Sequence, residues 1–209
     1  SGESWIGRDR AAAGAAMAAD GVNVIVMDDG HQNPSLKKTL SLVVIDTGDP
    51  FGNGRVFPAG PLRETVARGL ARADAVVLMG DGPSPDALSG YSGPVLRAIL
   101  QPLRPAPDGP LVAFAGIGRP QKVFDSLREA GAALKETLSF ADHHVYTAGD
   151  VAYLRALAKD HGARLITTEK DHVRLDPAFA AEVLAFPVTA VFADAEKLDA
   201  LMAGVHLAR

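Results

Sequence analysis

The sequence predicts an α/β protein built on parallel β-sheets, and three observations support that prediction. Short, continuous apolar runs recur along the chain, as they do in strands that are buried on both faces. Segments with helical character separate these runs, which is the pattern of parallel sheets with crossover helices. The composition is globular, with 47% hydrophobic and 22% charged residues over 209 positions. That length allows one large or two small domains.

The first half of the chain contains one Ala-rich helix and three apolar strands. The helix is predicted over Ala11–Ala19, and Asp20-Gly21 end it as a turn or C-cap. A short basic helix is predicted from about Leu62 to Ala71, just before the third strand. The predicted strands are Val22–Met27, Leu42–Ile45 and Ala75–Met79.

Two Gly- and Pro-rich segments punctuate the chain. Residues 47–61 form a long loop that we expect to be functional, because long loops in compact domains are usually functional or disordered. The segment 97–110 contains four prolines and is predicted to be an extended connection between domains. These segments divide the chain into a first domain over residues 1–97, a linker over 98–110 and a smaller α/β domain over 111–209.

The α/β pattern restarts after this linker. A strand, a turn and an amphipathic helix follow one another, and a second helix is expected to begin at Asp150 as its cap. The predicted elements are strand Leu111–Ala115, turn Gly116–Pro120, helix Gln121–Ala130, helix Asp150–Ala158 and strands Leu165–Thr168 and Val188–Phe192.

Charge and composition exclude several classes of function. The chain has 21 Lys and Arg against 25 Asp and Glu, a formal net charge of −4, so it lacks the basic surface needed for sequence-independent nucleic-acid binding. It contains no Cys, which excludes disulfides, thiolate metal sites and Cys nucleophiles and is typical of a reducing compartment. No apolar run approaches the roughly 20 residues of a transmembrane helix.

The most informative local pattern is the apolar run that ends in Asp28-Asp29-Gly30. In P-loop folds, such a strand end brings a carboxylate to Mg²⁺ beside bound phosphates. Successive side chains of a strand point to opposite faces, so only one of the two carboxylates can face a given metal. The sequence leaves open which one does so, and it leaves open a simple strand-to-turn junction.

Two further clusters lie in the second half of the chain. Asp142-His143-His144 places a carboxylate beside His residues, an arrangement used to orient or tune a general base, although a surface loop without a role is the alternative. Thr167 to Asp171 follow a short strand and are predicted either to bind a ligand at the sheet edge or to start a helix with Thr as N-cap. The turn at Gly116–Pro120 fits a strand-to-helix connection, with Arg119 as a candidate anion contact.

Taken together, these segments resemble the tetraacyldisaccharide 4'-kinase family of lipid A biosynthesis. Seven segments keep the family's order and approximate spacing over nearly the whole chain. They are Gly7–Arg10, Asp28–Asn33, Gly52–Gly54, Pro58–Glu64, Phe114–Pro120, Asp142–Tyr146 and Thr167–Asp171.

The resemblance implies a P-loop-kinase-like parallel sheet that transfers the γ-phosphoryl group of ATP to the 4'-hydroxyl of a lipid A disaccharide precursor. It assigns Asp28 and Asp29 as Walker B acids and Mg²⁺ ligands, and Arg63 and Glu64 as active-site residues. Residues 1–97 would then be the Walker B half of the nucleotide-binding core.

The resemblance also assigns His143, Arg10 and Asn53. His143 matches an Asp-His motif in which the His assists the catalytic base, and Arg10 is a candidate for the lipid's own phosphate. Asn53, in the Gly52–Gly54 segment, is a candidate substrate-binding residue. The family acts in the cytoplasm at the inner face of the inner membrane, so a peripheral location is expected.

One departure from the family is large. The 209 residues contain no Gly-x-x-x-x-Gly-Lys-Ser/Thr motif, and in the family a preceding segment carries the Walker A loop. We therefore expect the chain to be N-truncated relative to the family, with little or no turnover by itself. Two alternatives stay open: a non-catalytic lipid- or nucleotide-binding module on the same scaffold, and an α/β phosphotransferase or hydrolase with another substrate.

Overall fold

The computed structural model describes residues 3–205, and these divide into two compact units. The first unit contains the described residues up to Ile99 together with those from Val191 onward, and the second unit is Leu100–Ala190. Each unit has its own four-stranded sheet. The prediction of an α/β protein with parallel sheets is confirmed.

The first unit is built around a sheet with the order β1-β2-β3-β8, in which β1, β2 and β3 are parallel. The central strand β2 is buried on both faces, from Ala75 to Leu78, as its continuous apolar sequence predicts. The elements that contribute to this unit are α1 (Arg10–Ala19), β1 (Leu42–Asp46), α2 (Val66–Leu70), β2 (Ala75–Met79), a 3₁₀ turn (Asp86–Leu88), β3 (Val95–Pro102), β8 (Val188–Phe192) and α7 (Ala195–Ala203).

The second unit is a parallel sheet in the order β5-β4-β6-β7, with helices against it. One hydrophobic cluster packs Phe124 and Leu127 of the helix α3 on the sheet, and another packs Leu154 and Phe179. The elements are β4 (Pro110–Ala115), α3 (Pro120–Glu129), β5 (Ala133–Ser139), α4 (Ala148–Asp160), β6 (Arg164–Thr168), α5 (Glu169–His172), α6 (Pro177–Ala180) and β7 (Val183–Phe186).

The predicted strand over Val22–Met27 is wrong. This segment has no strand pairing among the described residues, and Val26 is 89% exposed while Val24 is 46% exposed. A run of apolar residues becomes a strand only when a neighbouring strand accepts and donates its backbone hydrogen bonds. The apolar pattern indicates that the segment can be buried. Whether it forms a strand depends on a neighbouring strand with which it can pair.

The two compact units have bounds that differ from those of the predicted domains, which stay a prediction, and one helix begins earlier than predicted. The residues predicted as a linker over 98–110 include the end of β3, whose buried Leu96 and Ala98 alternate with exposed neighbours, and the residues from Val191 onward return to the first unit. The helix predicted to start at Asp150 begins at Ala148, with Thr147 as N-cap. Asp150 is the third helical residue, which completes a capping box with Thr147.

Candidate active site

Asp28 and Asp29, here called the acid pair, lie in a turn that is followed, after Gly30, by an anchored histidine, His31. His31 bonds through Nδ1 to Ser41 Oγ at 2.7 Å and through Nε2 to the carbonyl of Gly69 at 3.0 Å. A carbonyl only accepts, so Nε2 donates the second bond. The first bond reaches the residue just before β1, and the second reaches α2. His31 therefore fixes the turn to two elements of the first unit.

The backbone of the turn adopts conformations that few residue types tolerate. Asp29 adopts a φ of 51°, which is uncommon for a residue other than Gly. Gly30 is buried, and a Cβ at this position would lie 2.6 Å from the Cβ of Met27, so a larger residue would force the turn to shift. The strained turn presents both carboxylates outward, since Asp28 and Asp29 are exposed.

Two arginines approach the acid pair from different elements. Arg10, in the first turn of α1, donates through Nη1 to the backbone carbonyl of Asp28 at 3.5 Å. Arg63 Nη2 lies 3.8 Å from Asp29 Oδ2, and both side chains remain largely exposed. The structure therefore brings together four of the residues predicted from sequence, namely Asp28, Asp29, Arg10 and Arg63, and we call this group the acid-pair site.

A cleft of about 360 Å³ opens beside the acid-pair site. Arg10, Asp28 and Asp29 supply its polar part. The rest of its wall is mainly apolar and includes Trp5, Ile6, Ala13, Met17, Ile25, Val26, Met27 and Leu36. An amphiphilic lining of this kind suits a ligand with both charged and apolar parts.

Glu64 follows Arg63 in the chain, but its carboxylate makes its ion pairs with two other arginines. Its carboxylate makes a two-pronged ion pair with Arg72, at 2.6 Å to Nη2 and 2.9 Å to Nη1, and lies 3.9 Å from Arg68 Nε. The hydrogen bond from Arg72 holds the pKa of Glu64 below its ordinary value. Glu64 is thus tied to the arginines in and just after α2, and weaker effects of Gln32 and His31 on its pKa place it beside the segment that follows the acid pair.

Asn53 closes the long loop between β1 and α2. Its Nδ2 donates to the carbonyl of Ala59 at 2.9 Å, and its Oδ1 accepts from the backbone of Arg55 at 3.1 Å. A Cβ at Gly60 would lie 2.1 Å from that Oδ1, so the loop needs glycine there. Both of these hydrogen bonds join Asn53 to residues of its own loop. Its assignment to substrate binding stays a prediction.

The C-terminal edge of the second sheet collects the other predicted motifs. The backbone N–H of His143 donates to the carbonyl of Gly116, just after β4, at 3.1 Å. The N–H of Gly116 in turn donates to Asp171 Oδ2 at 3.0 Å. Asp142 lies 3.9 Å from Lys170 Nζ on α5. The three motifs therefore meet where parallel strands end, as expected for ligand binding in open sheets.

The His143 side chain has a partner, Arg174, that none of the sequence motifs indicated. Arg174 Nη2 lies 2.9 Å from His143 Nδ1, and Arg174 Nη1 lies 3.7 Å from the fully buried Asp171. We call His143, Asp142, Asp171 and Arg174 the histidine cluster. The available signal was the three-residue spacing of Asp171 and Arg174, which brings an acid and a base together across the turn that ends α5. The same spacing rule does not connect Arg174 to His143, which is 31 positions away.

The helix-start alternative for Thr167 to Asp171 is also realised. Thr168 is the N-cap of α5 and accepts from the backbone N–H of Asp171 at 2.9 Å. Thr167 is buried and donates to the carbonyl of Phe114 at 2.7 Å. These two threonines therefore support the sheet edge on which the histidine cluster stands.

The donor set of the acid-pair site fits Mg²⁺ held jointly with a nucleotide. Among residues 3–205, no group of three or more His, Cys, Asp or Glu side chains is arranged to hold a metal. Mg²⁺ needs no such cage, because one or two carboxylates, waters and substrate phosphates complete its octahedron. Asp28 and Asp29 supply hard oxygen donors that are exposed to an incoming ligand.

Comparison with known proteins gives a consistent result. The sequence profile of the family "LpxK: Tetraacyldisaccharide-1-P 4'-kinase" matches residues 2–206. The chain is 65% identical over 98% of its length to a tetraacyldisaccharide 4'-kinase of Hyphomonas neptunium, and 54% identical over 98% to one of Maricaulis maris. It covers 62% of each of these two proteins, so the chain spans about three-fifths of their length.

A solved structure shares the fold. The crystal structure of an "apo" form of LpxK from Aquifex aeolicus in complex with ATP matches with a TM-score of 0.54 and 22% sequence identity. The match covers 83% of this chain and 55% of that one. This similarity extends the resemblance from sequence motifs to the three-dimensional arrangement of helices and strands.

Proposed function

The chain belongs to the tetraacyldisaccharide-1-P 4'-kinase family, and on that premise we propose the activity of the protein. It transfers the γ-phosphoryl group of ATP to the 4'-hydroxyl of a tetraacyldisaccharide 1-phosphate, a step in lipid A biosynthesis. The observation that carries the proposal is 65% identity over 98% of the chain to a protein of that name. The acid-pair site and the His143 side chain are the proposed chemical machinery.

Phosphoryl transfer needs positioned charge more than covalent chemistry from the protein. In the proposal, Arg63 contacts the phosphates of the nucleotide, because its guanidinium is exposed and stands beside Asp29. Arg10 lines the cleft from α1 and contacts the phosphate already present on the lipid. Asn53 acts through the loop it closes, by holding the backbone near Arg63 in place for the substrate.

Asp28 and Asp29 would hold Mg²⁺ together with the phosphates of ATP. Bound there, the metal neutralises phosphate charge. The protein's own contribution is to fix the two carboxylates on a turn that His31 anchors to the first unit. Glu64 keeps its proposed place in the site through its neighbour, since its ion pair with Arg72 fixes the backbone that carries Arg63.

His143 is the proposed partner of the catalytic base. Its ring is 69% exposed, and its Nε2 lies 3.8 Å from Asp142 Oδ2. In this role the imidazole donates or accepts a hydrogen bond at Nε2 and orients a carboxylate that removes the proton from the sugar hydroxyl.

The lipid substrate implies a place for the protein in the cell. We propose that it works in the cytoplasm, peripheral to the inner membrane, where an acylated disaccharide is accessible. Ile6 and Val26, both exposed and both lining the cleft, support contact with an amphiphilic substrate. Among the described residues, no helix has the length and apolar character needed to cross a bilayer.

A direct assay tests the proposal. The protein as its gene encodes it is incubated with γ-labelled ATP, Mg²⁺ and tetraacyldisaccharide 1-phosphate, and label transfer to the lipid is measured. We expect transfer by the wild type and a loss of at least about 100-fold in Asp28→Asn, Asp29→Asn or both, since removing a single electrostatic contact of this kind commonly costs that much.

Asp20→Asn is the matched control, because Asp20 is also an exposed acid at the end of a short apolar segment. Its transfer rate should stay within about threefold of the wild type, since surface substitutions away from a site have small effects. ATP binding without any label transfer would contradict the kinase proposal and would favour a non-catalytic binding module. Transfer of label to another acceptor would keep the phosphotransferase and reject the lipid substrate.

A further inference from the structure

The histidine cluster contains a fully buried carboxylate that the proposed function does not use. Asp171 is 0% exposed. Its Oδ2 accepts hydrogen bonds from the Gly116 N–H at 3.0 Å and from the Thr168 hydroxyl at 2.9 Å. Among residues 3–205, its Oδ1 has no hydrogen-bond partner in good geometry and lies 3.7 Å from Arg174 Nη1. Burying a charge costs several kcal/mol unless partners compensate it, so Asp171 requires an account.

The hydroxyl of Tyr146 also lies close to the carboxylate of Asp171. Burial, and after it the negative charge of Asp171, raises the pKa of the Tyr146 hydroxyl. Tyr146 therefore stays a neutral phenol beside Asp171, and Arg174 is the cation that balances the buried charge. The buried carboxylate of Asp171 therefore determines where the guanidinium of Arg174 lies.

The guanidinium of Arg174 also contacts the ring of His143. The Arg174 side chain is 27% exposed, with Nη1 at 3.7 Å from Asp171 Oδ1 and Nη2 at 2.9 Å from His143 Nδ1. A guanidinium has donors only, so Nδ1 must be the acceptor in this contact. In the neutral ring the proton is then on Nε2, the nitrogen that is 3.8 Å from Asp142 Oδ2.

The backbone of His143 is constrained by the same strand end. His143 has a φ of 59°, a left-handed conformation that is uncommon for a residue with a side chain. Its N–H donates to the Gly116 carbonyl at 3.1 Å, and the N–H of Gly116 donates to Asp171. One glycine thus links the backbone of His143 and the carboxylate that holds Arg174. A Cβ on Gly116 would lie 3.1 Å from Tyr146 Oη and 3.2 Å from His144 Cβ, which leaves little space for any other residue.

We infer that Asp171 and Arg174 are positioning residues that hold the His143 ring as the Nε2–H tautomer, with Nε2 on the side of Asp142. In that state His143 presents a hydrogen-bond donor at Nε2, so it orients a carboxylate or a phosphate oxygen and does not itself remove a proton there. This inference rests on the proposed function for the role of His143 in the reaction. The Arg174 contact itself does not depend on any activity.

The contact is tested in the protein as its gene encodes it by NMR of the histidine side-chain nitrogens, with the His143 signals assigned from His143→Ala. We expect the wild type to give one Nε2–H tautomer for His143. In Arg174→Met, the Nδ1 resonance should move and a second tautomer should appear. Arg128→Met is the matched control, because Arg128 pairs with Asp125 on α3 and should leave the His143 signals unchanged.

Asp171→Asn provides a second, isosteric variant, since it removes the buried charge and retains the shape of the side chain. It should produce the same change at His143 as Arg174→Met. Unchanged Nδ1 resonances in Arg174→Met would overturn the inference. Arg174→Lys should behave like Arg174→Met, because a single ammonium cannot reach Asp171 and His143 with the fork that a guanidinium provides.

A kinetic cycle in the protein as its gene encodes it tests whether Arg174 acts through His143. Arg174→Met should lower kcat about 10- to 100-fold with the KM for ATP unchanged, which is the size expected for a misplaced catalytic group. In a His143→Ala background the same substitution should cost less than about threefold, because its target is gone. Independent, multiplying losses would overturn the inference. A shifted Nδ1 resonance in a protein without kinase activity would uphold the positioning and reject the proposed function.

Discussion

Replacing Arg63 by alanine separates a folding role from a role in binding phosphate. The ion pair between Arg63 and Asp29 is 3.8 Å long, and the two side chains are 67% and 81% exposed. Exposed pairs of this kind stabilise a fold by about 0–1 kcal/mol, so Arg63→Ala should lower the free energy of unfolding by less than about 1 kcal/mol. In a chain of 209 residues, a loss of that size moves Tm by about 2–4 °C at most.

The expected effect on the reaction is much larger. An arginine that stabilises a transferring phosphoryl group contributes about 10³- to 10⁵-fold to kcat, so the variant should lose at least about 100-fold in label transfer. Urea unfolding followed by circular dichroism gives the stability, and the γ-labelled ATP assay gives the rate. The two measurements on one variant distinguish an unfolded protein from a folded protein that lacks a phosphate contact.

Arg68→Ala is a closely matched control. Arg68 is 79% exposed and lies 3.9 Å from a carboxylate, but that carboxylate is Glu64 and not a member of the acid pair. It should match Arg63→Ala in stability and retain activity within about threefold of the wild type. A loss of more than about 2 kcal/mol in Arg63→Ala would show that Arg63 is needed for folding, and label transfer within threefold of the wild type would exclude the phosphate contact.

Three further predictions concern the fold that carries the site. Phe124→Ala removes a ring that is 1% exposed and should cost about 3–5 kcal/mol in urea unfolding, whereas a cost below 1 kcal/mol would mean that the cluster repacks. Thr167→Val should cost about 1–2 kcal/mol by the same measurement, because the carbonyl of Phe114 loses its 2.7 Å donor; an unchanged midpoint would show that the bond is dispensable. Hydrogen bonds from the backbone and then the hydroxyl of Thr147 lower the pKa of Asp150 to about 2, so its stabilising contribution is complete above its ordinary pKa of 3.8 and is lost as the pH falls toward 2. The urea midpoints of wild type and Asp150→Ala should accordingly converge over that interval, and a gap that is constant with pH would contradict this account.

Local patterns predicted most of the individual elements. Strands β1, β2, β4 and β6 and helices α1 and α3 lie within a residue or two of their predicted bounds. Their apolar runs or helical periodicity are properties of a few consecutive residues, which is why a sequence reveals them. Val22–Met27 has the same kind of apolar run but no strand pairing within residues 3–205, since pairing depends on a neighbour elsewhere in the chain. The return of the residues from Val191 onward to the first unit was equally invisible, because it is a long-range contact.

The chemistry of the candidate site divides in the same way. The family, and the residue types available for phosphate and metal, can be recognised from short motifs in the sequence, among them those that contain Asp28, Asp29 and Arg63. The ion pair of Glu64, the neighbour of Arg63, with Arg72 is visible only in the folded chain. The tertiary structure alone decided that Arg174 reaches His143 across 31 positions. The physical reason is that a side chain's partner is set by the packing of whole elements, which brings distant residues within hydrogen-bond distance and can direct adjacent residues apart.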